Sequence, residues 1–358
     1  MRLTGVDYIM VAPSYPPRVG GVERHIFEVH SALKRLGLEG RIVVFRTRPL
    51  GTQNSEDVIW LPFRPLFGWV PKTASLVMNL RLARLFQLSK PKVIHFHDST
   101  IYPVVPFLKV SGLLKRTYIT FHGWEGKFPP AVKMIRKRKK IVRAVQGSIA
   151  IGAFIQKWYG TVTDVVSYGG VKGERYSSLR TADYNANPLR IGYFGRLDRD
   201  TGILEVVKAI RKYNYKADKR VNLDIYGAGP LRDHLLKIAE EDSSEGISVL
   251  PPVKDAATIL VNYAIVVASG YLTILEALYA ERIVFAQYNN DLREDYLRMH
   301  PAASSIFICN SAEDLSAAIS QCCRDLESVF VKCRSGWNWA KEQSWNGVAK
   351  AYVELWAM

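Results

Sequence analysis

Short apolar runs alternate along the chain with longer stretches whose apolar residues recur at helical spacing. The first run, Gly5 to Ala12, predicts a strand. Behind it Val22, Ile26, Val29, Leu33 and Leu36 fall three or four positions apart, the stripe of a helix that faces a core. Strands are then predicted at Arg41–Phe45, Lys92–His97, Thr117–Phe121 and Gly147–Ile151, with helices at 73–88 and 131–145. The pattern restarts with a strand at Leu189–Phe194 and a helix at 202–212. It continues through strand Asn222–Tyr226, helix 231–240, strand Ala264–Ala268, helix 273–280 and strand Ile283–Ala286.

Strand and helix in strict alternation predict an α/β fold with parallel sheets covered on both faces. Two such series predict two Rossmann-like, doubly wound domains: residues 1–170, and 189–340 after a Gly-, Ser- and Asn-rich linker at 171–188. Residues 341–358 form a closing helix. Doubly wound sheets bind ligands beyond the carboxyl ends of their strands, so the expected site is a cleft faced by both sets of strand ends.

Charge changes this picture. The 358 residues carry a net charge of +16, unevenly placed. Residues 1–180 hold 29 Lys and Arg against 10 Asp and Glu, and residues 181–358 hold 20 against 23. The first half is expected to meet something anionic. Nucleic acid is not the expected partner, because no aromatic residues interleave with the basic run and no nucleic-acid module is recognisable. Asp7 interrupts the first apolar run, which argues against a signal peptide, and no run reaches the ~18 residues of a membrane span. The four cysteines lack metal or disulfide spacing. A cytoplasmic protein is expected, free or held at the cytosolic face of a membrane.

Candidate chemistry lies just after strands. Gly20 and Gly21 open the first helix, where amides can approach a phosphate or sugar; an ordinary glycine turn is the alternative. Gly195-Arg196 ends the first strand of the second series, and an arginine there suits a diphosphate leaving group, unless it is simply a surface residue. Gly227 and Gly229 permit close approach of a nucleotide, or only a turn. Gly270, Tyr271, Leu272 and Thr273 could hold a phosphate and Glu276 a ribose, but Thr273 and Glu276 also have the spacing of a capping box. His95 and His97 share one face of a strand, with no third metal ligand evident. His122 ends the next strand, where an imidazole can reach a sugar hydroxyl or serve the core.

Residues 133–143 hold seven cations and no acid. On a helical wheel Val132, Met134, Ile135, Ile141, Val142 and Val145 share one side, and Lys133, Arg136, Lys137, Lys140 and Arg143 the other. Arg138 intrudes on the apolar side. This make-up predicts an interfacial helix that meets an anionic membrane; a core-packed helix with a solvated basic face is the alternative.

Six segments in order, Pro17–His25, Val93–Asp98, Thr120–Gly123, Gly195–Leu197, Tyr226–Pro230 and Leu275–Leu278, resemble the family-four retaining glycosyltransferases of the GT-B fold. Trp345–Tyr352 resembles the family's C-terminal helix, which crosses back onto the first domain. The resemblance implies transfer of a hexose-type sugar from a UDP- or GDP-linked donor, with retention and without metal or other cofactor. It puts Gly20 and Gly21 beneath the donor, His122 at the transferred sugar, Arg196 on the diphosphate and Glu276 on the ribose. The expected acceptor is left open between a glycan, a lipid-linked acceptor and a small molecule. Two positions depart from the pattern: the family's first motif glutamate falls on Ala268 or, with a gap, Ser269, and its lysine falls on Thr201. Either the donor is handled differently or catalysis is weakened. A weakened homologue that scaffolds a glycosylation complex, and a GT-B sugar-nucleotide epimerase, are the competing functions.

Overall fold

The structure is a computed structural model that describes residues 5–51, 55–61, 71–124, 128–173, 188–241, 246–253 and 255–358. The expected linker lies mostly outside them, at 174–187. The chain forms two compact units, Met1–Ser167 with Trp345–Met358, and Tyr168–Ser344.

The first unit runs β1 (Tyr8–Ala12), α1 (Gly21–Arg35), β2 (Gly40–Val44), β3 (Val58–Trp60), α2 (Pro71–Ser89), β4 (Val93–His97), α3 (Val105–Val110), β5 (Thr117–Phe121), α4 (Val132–Ala144), β6 (Gly147–Ile151), α5 (Phe154–Tyr159) and β7 (Val165–Ser167). Among the described residues its sheet has seven strands, all parallel, in the order β3-β2-β1-β4-β5-β6-β7. Every residue of β1, β4, β5 and β6 is buried, as a sheet covered on both faces requires.

The second unit runs β8 (Leu189–Phe194), α6 (Ile203–Lys216), β9 (Val221–Tyr226), α7 (Arg232–Glu241), β10 (Ile247–Leu250), α8 (Ala257–Leu260), β11 (Ile265–Ala268), α9 (Tyr271–Tyr279), β12 (Ile283–Gln287), α10 (Asp291–Arg298), β13 (Ile306–Cys309), α11 (Ala312–Arg324) and α12 (Leu326–Ala340). Its six parallel strands are ordered β10-β9-β8-β11-β12-β13. The core beneath them includes Ile191, Leu223, Ile265, Phe285 and Cys322. Tyr168 and Val171 pack with this unit: Tyr168 donates to the Met299 carbonyl (3.1 Å) and the Val171 amide to that of Gln343 (3.0 Å).

The last helix, α13 (Trp345–Trp356), belongs to the first unit. Trp345, Val348, Ala349, Tyr352 and Trp356 form its buried stripe, and it packs against α1.

Candidate functional sites in the two units

Each sheet reverses strand order once, between β1 and β4 in the first unit and between β8 and β11 in the second. Ligands bind doubly wound sheets at such switch points. The candidate residues of each unit cluster there.

In the first unit β4 and β5 end side by side and deliver His97 and His122. His97 Nδ1 lies 2.9 Å from His122 Nε2. The Asp98 carboxylate accepts the His122 backbone N–H at 2.8 Å, which fixes the strand tip. His25, on α1, sets its ring edge-on to His122 with centroids 4.8 Å apart. Burial holds His25, His95 and His97 well below the usual histidine range and takes His122 down to about 3, so all four are neutral. Burial also lifts the Asp98 carboxyl to about 6, against the pull of the His122 amide and of Arg138.

α13 sets the hydrogen polarity of this cluster. An indole N–H can only donate, so Trp356 gives its hydrogen to His95 Nδ1 (3.1 Å). His95 then carries its proton on Nε2 and donates to Thr120 Oγ1 (2.8 Å). The arrangement that orphans no buried hydroxyl hydrogen has Thr120 donating to the Tyr352 hydroxyl (2.8 Å) and Tyr352 to His25 Nε2 (3.0 Å). His25 is thereby the Nδ1–H tautomer. His97 Nε2 is buried without a partner among the described residues. The arrangement that orphans no N–H puts the His97 proton on Nδ1, donated to His122 Nε2. His122 is left with Nδ1–H, a donor suited to a sugar oxygen. The two strand histidines foreseen as a conceivable metal pair are thus engaged with Thr120 and His122. Among the described residues no group of three or more His, Cys, Asp or Glu is placed to hold a metal ion.

At the start of α1 the Glu23 side chain folds back over Gly20, where any Cβ would strike its carboxylate, whereas Gly21 faces open space. The anion foreseen beneath Gly20 therefore meets a resident carboxylate, and Gly21 is the open position.

In the second unit Arg196 follows β8 and is exposed. Its guanidinium bonds Asp200 at 2.6 Å and Asp198 at 3.4 Å within its own loop. Exposed pairs of this kind contribute about 0–1 kcal/mol, too little to keep out a diphosphate. The loop itself is fixed, because the Arg196 carbonyl accepts from Tyr193 (2.8 Å) and from Thr201 (3.0 Å). Thr201, where the family carries its lysine, is buried and also donates to the Asp198 carbonyl at 2.7 Å. It is a strut for the loop and brings no charge.

The glycines divide into two kinds. A Cβ on Gly195 would strike Ser269, one on Gly227 the Gly195 carbonyl, and one on Gly229 the Leu197 carbonyl. These three let the loops after β8, β9 and β11 pack together, so close loop packing accounts for them without a nucleotide. Gly270 is different: only the Tyr296 hydroxyl lies near, 3.9 Å from its Cβ position.

Gly270 is the N-cap of α9, so the helix begins two residues before the foreseen start and Thr273 lies inside its first turn. The capping-box alternative fails on this geometry: an N-cap at Gly270 leaves Glu276 in the body of the helix, where it is 3% exposed. The Tyr296 hydroxyl accepts the Tyr271 N–H at 2.7 Å, and the two rings stack at 3.9 Å. That removes Tyr271 from the foreseen phosphate donors. The Leu272 and Thr273 amides, at the start of the helix, have no partner among the described residues.

Arg293, on α10, escaped the sequence reading. It is buried, bonds the Ser269 carbonyl at 3.1 Å and lies 4.8 Å from the Tyr296 ring. Burial raises the Tyr193 and Tyr296 hydroxyls, Tyr296 to about 12, against the pull of the Arg293 and Arg196 guanidiniums, which both act at this switch point. Nothing local in the sequence marks Arg293; only the fold brings it to β11.

Residues 19–165 match the family described as Glycosyltransferase Family 4, and residues 188–325 that described as Glycosyl transferases group 1. The chain belongs to the family-four glycosyltransferases of the GT-B fold. No curated protein sequence matches this glycosyltransferase. Solved structures share its fold along its length. They include HepE of Anabaena in complex with UDP and glucose (15% identity, 98% of each chain, TM-score 0.73). Sucrose-phosphate synthase of Thermosynechococcus elongatus matches at 14% identity over 99% of this chain and 98% of its own, TM-score 0.75. A glycosyltransferase of Rickettsia africae matches at 15% identity over 98% of each chain, TM-score 0.73.

α4 carries a correction. Its apolar stripe packs onto the first unit: Ile141 and Val145 are buried and Met134, Ile135 and Val142 half-buried. Arg138 is fully buried, 4.6 Å from the Phe121 ring centre and 3.8 Å from that of Tyr159, and donates to the Gly123 carbonyl at 2.6 Å. Lys137 lies 3.6 Å over Tyr102. An interfacial helix needs a free apolar face, and α4 has spent most of its own on the core; of its apolar stripe Val132 stays exposed, and of its cations Lys133, Arg136, Lys140 and Arg143. No helix among the described residues is long and apolar enough to cross a membrane.

Proposed function

We propose that this glycosyltransferase moves a hexose-type sugar from a UDP- or GDP-linked donor to its acceptor, with retention of configuration and without a metal. The observation that carries the reading is the start of α9. At the second switch point an open glycine, two helix amides without a partner among the described residues and a neighbouring arginine pair suit a diphosphate, and Glu276, which lies in the body of α9 and not at its cap, would meet a ribose. Guanidiniums and a helix N-terminus would neutralise the departing diphosphate, the work a divalent cation does elsewhere. Neutral His122, presenting Nδ1–H, would bond the transferred sugar. Bound UDP and glucose in HepE, and UDP-2-fluoro glucose in an E. coli protein of the same fold, support this donor class.

The exposed cations of α4 support a membrane contact made by charge alone, beside a lipid-linked acceptor. Each contributes ~1 kcal/mol near an anionic surface.

Thermal shift and donor hydrolysis with a panel of nucleotide sugars, with and without EDTA, test the reading. One UDP- or GDP-sugar at about 100 times its Kd should stabilise the protein by ~2.7 kcal/mol and be consumed at equal rates in both conditions. No response to any nucleotide sugar would instead favour a scaffold, a reading the loss of the motif lysine at Thr201 supports.

A further inference from the structure

The first switch point holds a pocket of about 860 Å³, of the size of small-molecule sites, ~300–1,000 Å³. It lies beyond the ends of β1, β2, β3 and β4, and its lining includes Ser14, Tyr15, Arg18, Arg46, Arg48 and Trp60. Three features give its chemistry. First, its charged lining among the described residues is three arginines, with no carboxylate. Second, Arg46 is pre-set: its Nε–H donates to the Pro13 carbonyl at 2.9 Å, which holds the guanidinium at the rim. Third, Ser14 is 5% exposed, lines the pocket, and its hydroxyl has no partner among the described residues. A buried hydroxyl left unpaired costs about 1–3 kcal/mol, which a ligand oxygen would recover.

We infer that this pocket binds the acceptor, and that the acceptor is a hydroxylated ring bearing a phosphate or carboxylate. The three guanidiniums take the anion, since their planar forks match its oxygens. Ser14 donates to or accepts from a ring hydroxyl. Trp60 and Tyr15 offer apolar walls for the ring. The inference rests on the glycosyltransferase reading for the word acceptor; the anion site stands on the pocket alone. The same chemistry is presented by a free sugar acid or sugar phosphate and by the headgroup of an anionic glycolipid or inositol lipid.

The test is calorimetry on the full chain with saturating UDP or GDP, which occupies nucleotide sites first. Probes are glucose 6-phosphate, glucuronate, glucose, and phosphatidylcholine vesicles with and without phosphatidylinositol. An anionic ring should bind about tenfold or more tighter than glucose, and Arg46→Gln or Arg48→Gln should weaken it about tenfold each, ~1.4 kcal/mol. Ser14→Ala should weaken it less, with an unchanged melting temperature as evidence of folding. Binding only to the inositol-lipid vesicles, with the same arginine dependence, assigns the lipid-borne source. Equal affinity for glucose and glucose 6-phosphate, no binding of any anionic probe, or binding indifferent to both arginine variants overturns the site. Failure of the donor reading shows separately, as no nucleotide-sugar consumption while anionic-ring binding persists.

Discussion

Acidification should unfold the first unit before the second, because four neutral histidines are buried behind α13. Each of His25, His95, His97 and His122 has a folded-state pKa depressed by burial. Below pH ~6.5 the unfolded chain binds protons that the folded one refuses, so stability falls as pH falls, by ~1.4 kcal/mol per pH unit for each histidine. Asp98 works the other way. Its carboxyl is raised from 3.8 to about 6, so the folded state holds a proton that the unfolded state lacks, and stability is gained as pH falls through that window. His30, also lowered by burial, adds to the losses, so four full losses and part of a fifth against one gain leave a net slope of about 4–5 kcal/mol per pH unit below pH ~6. Against a total stability of ~5–15 kcal/mol, the unit should unfold near pH 4. The second unit has one such group with a resolved shift, His300, taken down to about 3 by burial, and should lose only ~1.4 kcal/mol per pH unit from it. Urea titrations at half-unit pH steps, followed by tryptophan fluorescence, measure this; Trp124, Trp158, Trp345 and Trp356 report on the first unit and Trp337 and Trp339 on the second. His25→Gln, which can still accept from Tyr352 but cannot titrate, should lower the slope by about 1.4 kcal/mol per pH unit. A first-unit stability constant within ~1 kcal/mol between pH 6.5 and pH 5 would refute the argument.

Four other outcomes follow from the geometry. Arg196→Ala should lower donor turnover by about 10²–10³ with a smaller effect on donor binding, whereas Glu276→Ala should weaken nucleotide binding about tenfold and leave kcat nearly unchanged, both read by steady-state kinetics. Gly270→Ala has room for its methyl and should fold within ~1 kcal/mol of the parent while binding nucleotide less well; Gly227→Ala collides with backbone and should cost about 1–3 kcal/mol of stability by urea titration. Arg138→Ala strips two ring contacts and a charged hydrogen bond from the interior and should destabilise the first unit by about 3 kcal/mol in the same assay. In vesicle co-sedimentation, changing Lys133, Arg136, Lys140 and Arg143 to Gln should abolish binding to anionic lipid at low salt; equal binding to neutral lipid would exclude an electrostatic contact.

Strands buried on both faces were most legible where they are continuous apolar runs, as in Tyr8–Ala12 and Ile265–Ala268. The edge strands were not: Val58–Trp60, Val165–Ser167, Ile247–Leu250 and Ile306–Cys309 are three or four residues long and partly exposed, with too few positions to show a period. The start of α9 was misplaced because Thr273 resembles an N-cap, while the real cap, Gly270, offers no side chain to recognise. On α4 the wheel separated cations from apolar residues correctly and flagged Arg138 as the exception. It had no means of knowing that Phe121 and Tyr159 would receive that guanidinium. The carboxylates of Asp198 and Asp200 sat in plain view beside Arg196, but their pairing with it depends on loop geometry fixed by Tyr193 and Thr201.

The place of α13 in the first unit also sets an order of events during synthesis. Domains generally fold as they emerge, the N-terminal one first. Here β1, β4 and β5 can assemble early, but the pocket that Trp345, Tyr352 and Trp356 fill stays open until the entire second unit has been translated. Over that interval the nascent sheet exposes His25, His95 and Thr120 to water, and closure waits for the last helix to return. A chain cut short before Trp345 would carry every strand of both sheets and still leave the histidine cluster unroofed.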